Sequence, residues 1–252
     1  MPGPHSQSPV SRRMLACWLF ALALPALLPL RPLQAEHPLT PEQRAELSQR
    51  LDAEIERLTQ ALKEGPTGKT AQRLYSQRGD AYFFQARFKE ALADYEELGR
   101  LDPELDPFHW RRGLAYYYTG RYAEAAAQFE RYFEHDKSDR ENGIWRFYAQ
   151  VRQNGLEAAR ETMLPYEKPD RALLPDVYKL YAGQLTAAEL EARITATDVP
   201  DAERLPRLFY GHLYIGLDHV LKEETEEARR HLEQAVASPW APQAGYGPRY
   251  MW

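Results

Sequence analysis

The sequence predicts an all-α fold of stacked helical hairpins, a superhelix of the α-solenoid kind. Three observations carry the prediction. Apolar residues recur at helical steps through most of the chain after residue 40. Two stretches, "YSQRGDAYFFQARFKEALADYEELGRLDP" and "HWRRGLAYYYTGRYAEAAAQFERYFEHDK", match one another at a spacing of 34 residues. The 252 residues are 44% hydrophobic and 27% charged and hold one cysteine, Cys17, so packing rather than disulfides must hold the chain together.

Residues 1–35 differ in composition from the rest. "MPGPHSQSPVSRR" carries no acid and ends on Arg12 and Arg13, "MLACWLFALALPALLPL" carries no charge, and "RPLQA" closes the run at Ala35. That order is the pattern of a secretory signal cleaved after Ala35. Pro25 and Pro29 interrupt the apolar run, which argues against a spanning helix. A retained anchor is the rival reading, and lipidation at Cys17 a third, although the apolar core follows this cysteine rather than preceding it. The expected location is therefore exported, either periplasmic or membrane-associated through this segment. The net charge of −5 gives no nucleic-acid footprint.

The next element is a leading amphipathic helix within residues 36–64. Leu47, Leu51, Ile55, Leu58 and Leu62 form one stripe, Thr40 is placed to cap it, Pro41 suits the first turn, and Gln43 completes a capping box. The stretch "KEGPTGKT" that follows ends like a phosphate-binding loop. Such a loop needs a strand before it and a glycine five residues before its Gly-Lys pair, and here a helix precedes it and Lys63 holds that position. Pro66 removes an amide donor as well. The stretch reads as a helix–helix turn, and no nucleotide is expected.

Residues 70–139 hold the two repeats. Gly79 and Gly113, Ala81 and Ala115, Tyr82 and Tyr116, Arg87 and Arg121, Ala91 and Ala125, and Tyr95 and Phe129 all stand in phase. Glycine, an aromatic three on, alanine twelve on and an aromatic sixteen on is the tetratricopeptide-repeat (TPR) pattern. The glycine and alanine let two helices cross closely, and the aromatics fill the space around them. Gly120 makes the second turn, and Ala86 stands in for it in the first. Residues 140–203 read as degenerate helical hairpins, with Thr186 capping "AAELEARI". Residues 204–239 read as a divergent third hairpin. There Gly211 and Tyr214 take the places of Gly79 and Tyr82, and Ala228, Leu232 and Ala235 follow after a turn lengthened by five residues. Residues 240–252 form a C-terminal tail.

Little in the sequence points to chemistry. His212 and His219, seven apart near Asp218 and Glu223, suggest a metal, but no His-x-x-x-His or Glu-x-x-His spacing supports one. There is no Gly-x-Ser-x-Gly and no cysteine after residue 35. The expectation is a non-catalytic chain without cofactor, and the alternative is an enzyme or metal protein with its site in the helical groove. Counting in the repeat register puts Phe83, Phe84, Trp110, Tyr117 and Tyr118 in the hollow of the superhelix, with Arg73 and Arg111 beside them. Aromatics with arginine are the residue types that dominate interface energy. One residue of phase separates a groove position from a packing position, so the same rings also read as cover for the next helix.

The layout resembles the NlpI family of bacterial envelope lipoproteins over residues 40–238, with one repeat unit fewer. The resemblance rests on the leading helix, the TPR hairpins, "GIWRFYAQVRQNGLEAARE", "VYKLYAGQLTAAELEARI" and "LFYGHLYIGL" with "ARRHLEQAVA". It implies an all-helical, non-catalytic homodimer at the outer membrane that brings envelope proteases to cell-wall hydrolases. The chain departs from the family in having no lipobox at the expected place, and no partner-contact motif matches residue by residue.

Overall fold

The computed structural model describes residues 40–168, 170–196 and 200–240. The signal segment, its cleavage point at Ala35, Cys17 and all but the first residue of the tail lie outside the described residues. Helix α1 (Pro41–Lys63) starts at a capping box: the Gln43 amide donates to Thr40 Oγ1 (3.2 Å) and the Thr40 amide to Gln43 Oε1 (2.9 Å). Its stripe faces α2 (Gly68–Phe84), with Ile55 and Leu58 buried and Leu47, Leu51 and Leu62 half-buried. The Gly68-Lys69-Thr70 stretch is the first turn of α2 and follows a helix, as the spacing predicts. Among the described residues no helix is long and apolar enough to cross a membrane.

Two hairpins come next, α2 with α3 (Phe88–Leu101) and α4 (Trp110–Tyr118) with α5 (Tyr122–His135). The fixed glycine of each has a direct physical cause. A methyl group on Gly79 would come within 2.7 Å of the Tyr95 ring, and one on Gly113 within 2.6 Å of the Phe129 ring. The aromatic sixteen residues on therefore packs directly on the glycine of its own hairpin, where the helices cross. Ala91, Tyr95, Ala125 and Phe129 are all completely buried. Each hairpin turns in the same way. The Arg87 amide reaches back to the Tyr82 carbonyl (3.0 Å) and the Arg121 amide to the Tyr116 carbonyl (2.9 Å). The residue at the bend is left-handed in both, Ala86 at φ 55° and Gly120 at φ 79°.

The last hairpin, α10 (Asp201–Leu221) with α11 (Thr225–Ala237), corrects the sequence register. Its crossing glycine is Gly216, whose methyl would meet Leu232 at 2.8 Å, and Gly211 instead faces Ile194 of the preceding hairpin. Counted from Gly216, Ala228 stands twelve on and Leu232 sixteen on, as in the first two repeats. The left-handed residue is Glu223 (φ 61°), seven on, matching Ala86 and Gly120. The Glu224 amide donates to the His219 carbonyl (3.0 Å), the same backward bond. The turn is not lengthened, and the hairpin has the geometry of its predecessors. A side chain in the left-handed region costs roughly 1–2 kcal/mol that glycine avoids. Glu223→Gly should raise the melting temperature by a few degrees, and an unchanged or lower one would mean that the turn is formed differently.

Between these lie two degenerate hairpins, α6 (Arg140–Asn154) with α7 (Leu156–Glu161), and α8 (Leu174–Tyr181) with α9 (Ala187–Ile194). Each keeps the helical period in sequence, and each hairpin turns at a glycine of positive φ, Gly155 (φ 86°) and Gly183 (φ 72°). Thr186 caps α9 in a capping box with Glu189. Buried tyrosines tie the stack together. The hydroxyls of Tyr148 (α6) and Tyr181 (α8) are hydrogen-bonded, and Tyr181 donates to the Tyr214 carbonyl of α10 (2.7 Å).

Asp139 caps α6 by accepting from the Glu141 amide (3.1 Å). Burial, with the Glu141 carboxylate adding to it, pushes its carboxyl from an ordinary 3.8 up to about 6, against the opposing pull of Arg171. A raised folded-state pKa in an acid means that the fold favours the protonated form. This site's contribution is complete at low pH and is lost as pH rises through about 6. A carboxyl carbon titration should find the Asp139 midpoint near 6; a midpoint at its ordinary value would refute the burial argument.

Candidate protein-interaction face

The aromatic residues gather where the hairpins turn. Phe83 and Phe84 end α2, Phe88 begins α3, Tyr117 and Tyr118 end α4, and Tyr122 begins α5. The tight turn brings the last rings of one helix onto the first ring of the next. Phe83 meets Phe84 at 6.2 Å and Phe88 at 5.3 Å, both edge to face. Phe88 stacks on Tyr118 of the following hairpin at 4.4 Å with the rings 14° from parallel. Tyr118 meets Trp145 of α6 at 6.1 Å, and Trp145 meets Tyr148 at 5.3 Å. Tyr117 joins the strip through Tyr118, Tyr122 and Trp145, each at about 5.5 Å between centroids. A continuous run of rings thus crosses three successive hairpins. Ring pairs in such offset and edge-on geometries add about 0.5–1.5 kcal/mol beyond their buried area.

The run is core on one side and surface on the other. Phe83 is 5% exposed and Tyr148 3%, Phe84, Phe88 and Trp145 are half-buried, and Tyr118 is 50% exposed. Ring atoms accessible at the surface therefore come from Phe84, Phe88, Tyr118 and Trp145. Aromatic anchors already held by their neighbours lose little freedom on binding, which favours a contact surface.

Seven residues were expected to share one groove, and the structure separates them. Phe84 and Tyr118 lie at the open edge of the strip. Phe83 is core, because the phase that points Phe84 outward points its neighbour into the hairpin. Tyr117 packs against both major apolar clusters. Trp110 opens α4, eight residues and ~12 Å of helix from Tyr118. Its ring carries the Arg111 guanidinium at 4.5 Å, and Arg111 pairs with Asp80 at 3.7 Å. Asp80 in turn accepts from the Tyr95 hydroxyl (2.7 Å), so Arg111 belongs to a polar contact between repeats. Arg73 is exposed near the start of α2. Phe88 and Trp145 complete the strip. Phe88 is legible only as a repeat position, and nothing in the sequence brings α6 onto the end of α4.

In the two repeat hairpins and the last hairpin, polar pairs recur at one place, the residue before Tyr95, Phe129 and Leu232. Asp94 accepts from both Arg78 Nε (2.8 Å) and Arg78 Nη2 (2.6 Å). Gln128 accepts from Arg112 Nε (3.0 Å), and Arg112 also bonds the Asp106 carboxylate. In the third hairpin the position is His231, whose Nδ1 lies 3.0 Å from that of His212. His219 stacks on His231 at 5.5 Å, while Asp218 accepts from Lys222 (2.6 Å) and Glu223 lies at the turn. Of the candidate ligands considered from the sequence, the structure brings His212 and His219 to one cluster through His231, which sequence reasoning missed.

Residues 72–105 and residues 107–139 each match the tetratricopeptide-repeat family. These spans cover α2 with α3 and α4 with α5, the two hairpins on which the crossing glycines and turn bonds coincide. No curated protein matches the chain.

Proposed function

We propose that this chain, which carries two tetratricopeptide repeats at residues 72–139 within an all-helical stack, is an exported, non-catalytic adaptor. It holds a segment of another protein on the aromatic edge formed by Phe84, Phe88, Tyr118 and Trp145. TPR repeats mediate protein–protein contacts, and a protein-binding scaffold is what such repeats support here. The single observation that carries the finer reading is the unbroken run of rings across three hairpins, open at half-exposed Tyr118. An apolar or aromatic side chain of a partner segment fits that edge by stacking. The basic leader supports export, and the resemblance to the NlpI layout supports an envelope setting, with proteases or cell-wall hydrolases as partners and a homodimer as the working form.

Capture by chemical crosslinking in intact cells identifies the partner, and titration calorimetry with its purified segment measures affinity. Tyr118→Ala removes a half-exposed ring and its stacking on Phe88, so melting should fall by a few degrees while the fold is kept. Loss of a central aromatic anchor costs about 2 kcal/mol or more, near thirty-fold in affinity. A folded variant that binds as tightly as wild type would place the partner on another face.

A further inference from the structure

We propose that Glu191, His212 and His231 form a binding site for a first-row divalent metal ion of the zinc type. The three residues come from three helices, α9, α10 and α11, and one nitrogen of each ring and one carboxylate oxygen lie within 4.8 Å of one another. His212 is 7% exposed and His231 1%, so neither ring is a surface residue that happens to lie near the other. Their Nδ1 atoms are 3.0 Å apart. Two imidazole nitrogens bound to one tetrahedral ion at ~2.0–2.1 Å stand roughly 3.3 Å apart, so an opening of a few tenths of an ångström seats the ion. Two imidazoles and one carboxylate are ligand types that zinc takes in sites with a fourth position open to solvent.

The present hydrogen bonds give a second reason to expect a cation here. Arg230 donates to Glu191 Oε1 (3.1 Å) and to His231 Nε2 (2.7 Å), and so presents a positive charge to this cluster. Its side chain is 43% exposed and is also paired with Glu227 (2.9 Å), three residues earlier on α11. The guanidinium can swing outward to Glu227, which frees Glu191 and lets the His231 proton move from Nδ1, the nitrogen that faces His212, to Nε2, so that Nδ1 can ligate. His219 stacks over His231 and binds Glu224, forming with Glu227 a more exposed alternative set. The first set takes the ion because both of its rings are buried and it draws on a helix of the neighbouring hairpin.

The full chain, freed of metal with a chelator, is titrated with zinc chloride and with cobalt chloride. One ion per chain should bind, with the intense visible absorption of tetrahedral cobalt and a higher melting temperature. Glu191→Gln and His231→Gln should each weaken binding by roughly ten-fold or more, the range seen even for outer-shell partners of metal ligands. Glu191 is at the surface, so its variant should fold even if the buried His231 variant does not. Arg230→Gln should tighten binding by removing the competing cation. His219→Gln should leave the affinity within about two-fold. No bound ion in wild type, or full affinity in Glu191→Gln, overturns the proposal. Loss in His219→Gln with none in Glu191→Gln moves the site to the exposed set and overturns it equally. Unchanged or weaker binding in Arg230→Gln counts against the proposed position.

Discussion

Ala125→Asp is expected to unfold the repeat region at physiological temperature. Ala125 has no exposed surface and belongs to the cluster that holds Ala91, Ala115, Tyr95 and Phe129. It stands where α5 crosses its neighbours, and the close approach that alanine permits leaves no room for two further oxygens. A carboxylate there loses its hydration and gains no partner. Burying an unpaired polar or charged group costs several kcal/mol, and a domain's whole stability is only about 5–15 kcal/mol. Ala127, two residues on, is exposed, so Ala127→Asp is the matched control. Circular dichroism should show a much lower or absent thermal transition for the first and a near-wild-type one for the second. Equal melting temperatures for the two would mean that the crossing is not where the structure puts it.

Arg140→Ala is expected to release the connection between α7 and α8. Among its described residues that segment has no helix, and most of its backbone carbonyls must find partners outside it. Arg140, 7% exposed at the start of α6, supplies them. Its guanidinium donates to the carbonyls of Lys168 (2.8 Å) and Tyr166 (3.0 Å), and its amide donates to the Asp170 carboxylate (2.9 Å). The same guanidinium lies over the Tyr166 ring at 5.4 Å. Tyr166 in turn covers Gly143, where a methyl would come within 2.5 Å of the ring. Arg146 repeats the arrangement further along α6, donating to the Thr162 carbonyl (2.7 Å). Hydrogen bonds to a charged group contribute about 1.5–3 kcal/mol each, and removing one partner of a buried charged pair costs about 3–5 kcal/mol. A loss of about 3 kcal/mol follows, concentrated in one segment. Limited trypsin digestion should cut first after Arg171 in the variant and not in wild type. Equal protection in both would show that the connection is held by other contacts.

Much of the fold was legible because it is local. A helix declares itself by the period of its apolar residues, and its start by a side chain able to accept an amide, so α1 and α9 begin where Thr40 and Thr186 predict. The first two repeats were legible because Gly79 and Gly113 admit no other residue beneath Tyr95 and Phe129. The third repeat was misread for the same reason. Two glycines, Gly211 and Gly216, offered the same local signal, and only the packing shows which one meets its own hairpin. The left-handed turn at Glu223 was hidden because glutamate is rare in that conformation.

The candidate sites divide along the same line. That aromatic residues recur at helical spacing was legible in the sequence, and so was the helix–helix setting of Gly68-Lys69-Thr70, since both depend on neighbours in sequence. Which rings meet was decided by tertiary structure. Phe88 on Tyr118, Tyr118 on Trp145, and His231 on His212 are contacts between helices, fixed by the angle at which one hairpin packs on the next. A shift of one residue in phase, ~100° around a helix, separates buried Phe83 from half-exposed Phe84. The sequence by itself determined an all-helical stack with two repeats at its centre. The tertiary structure alone decided which side chains face outward and which charged groups meet, because both depend on residues far apart along the chain.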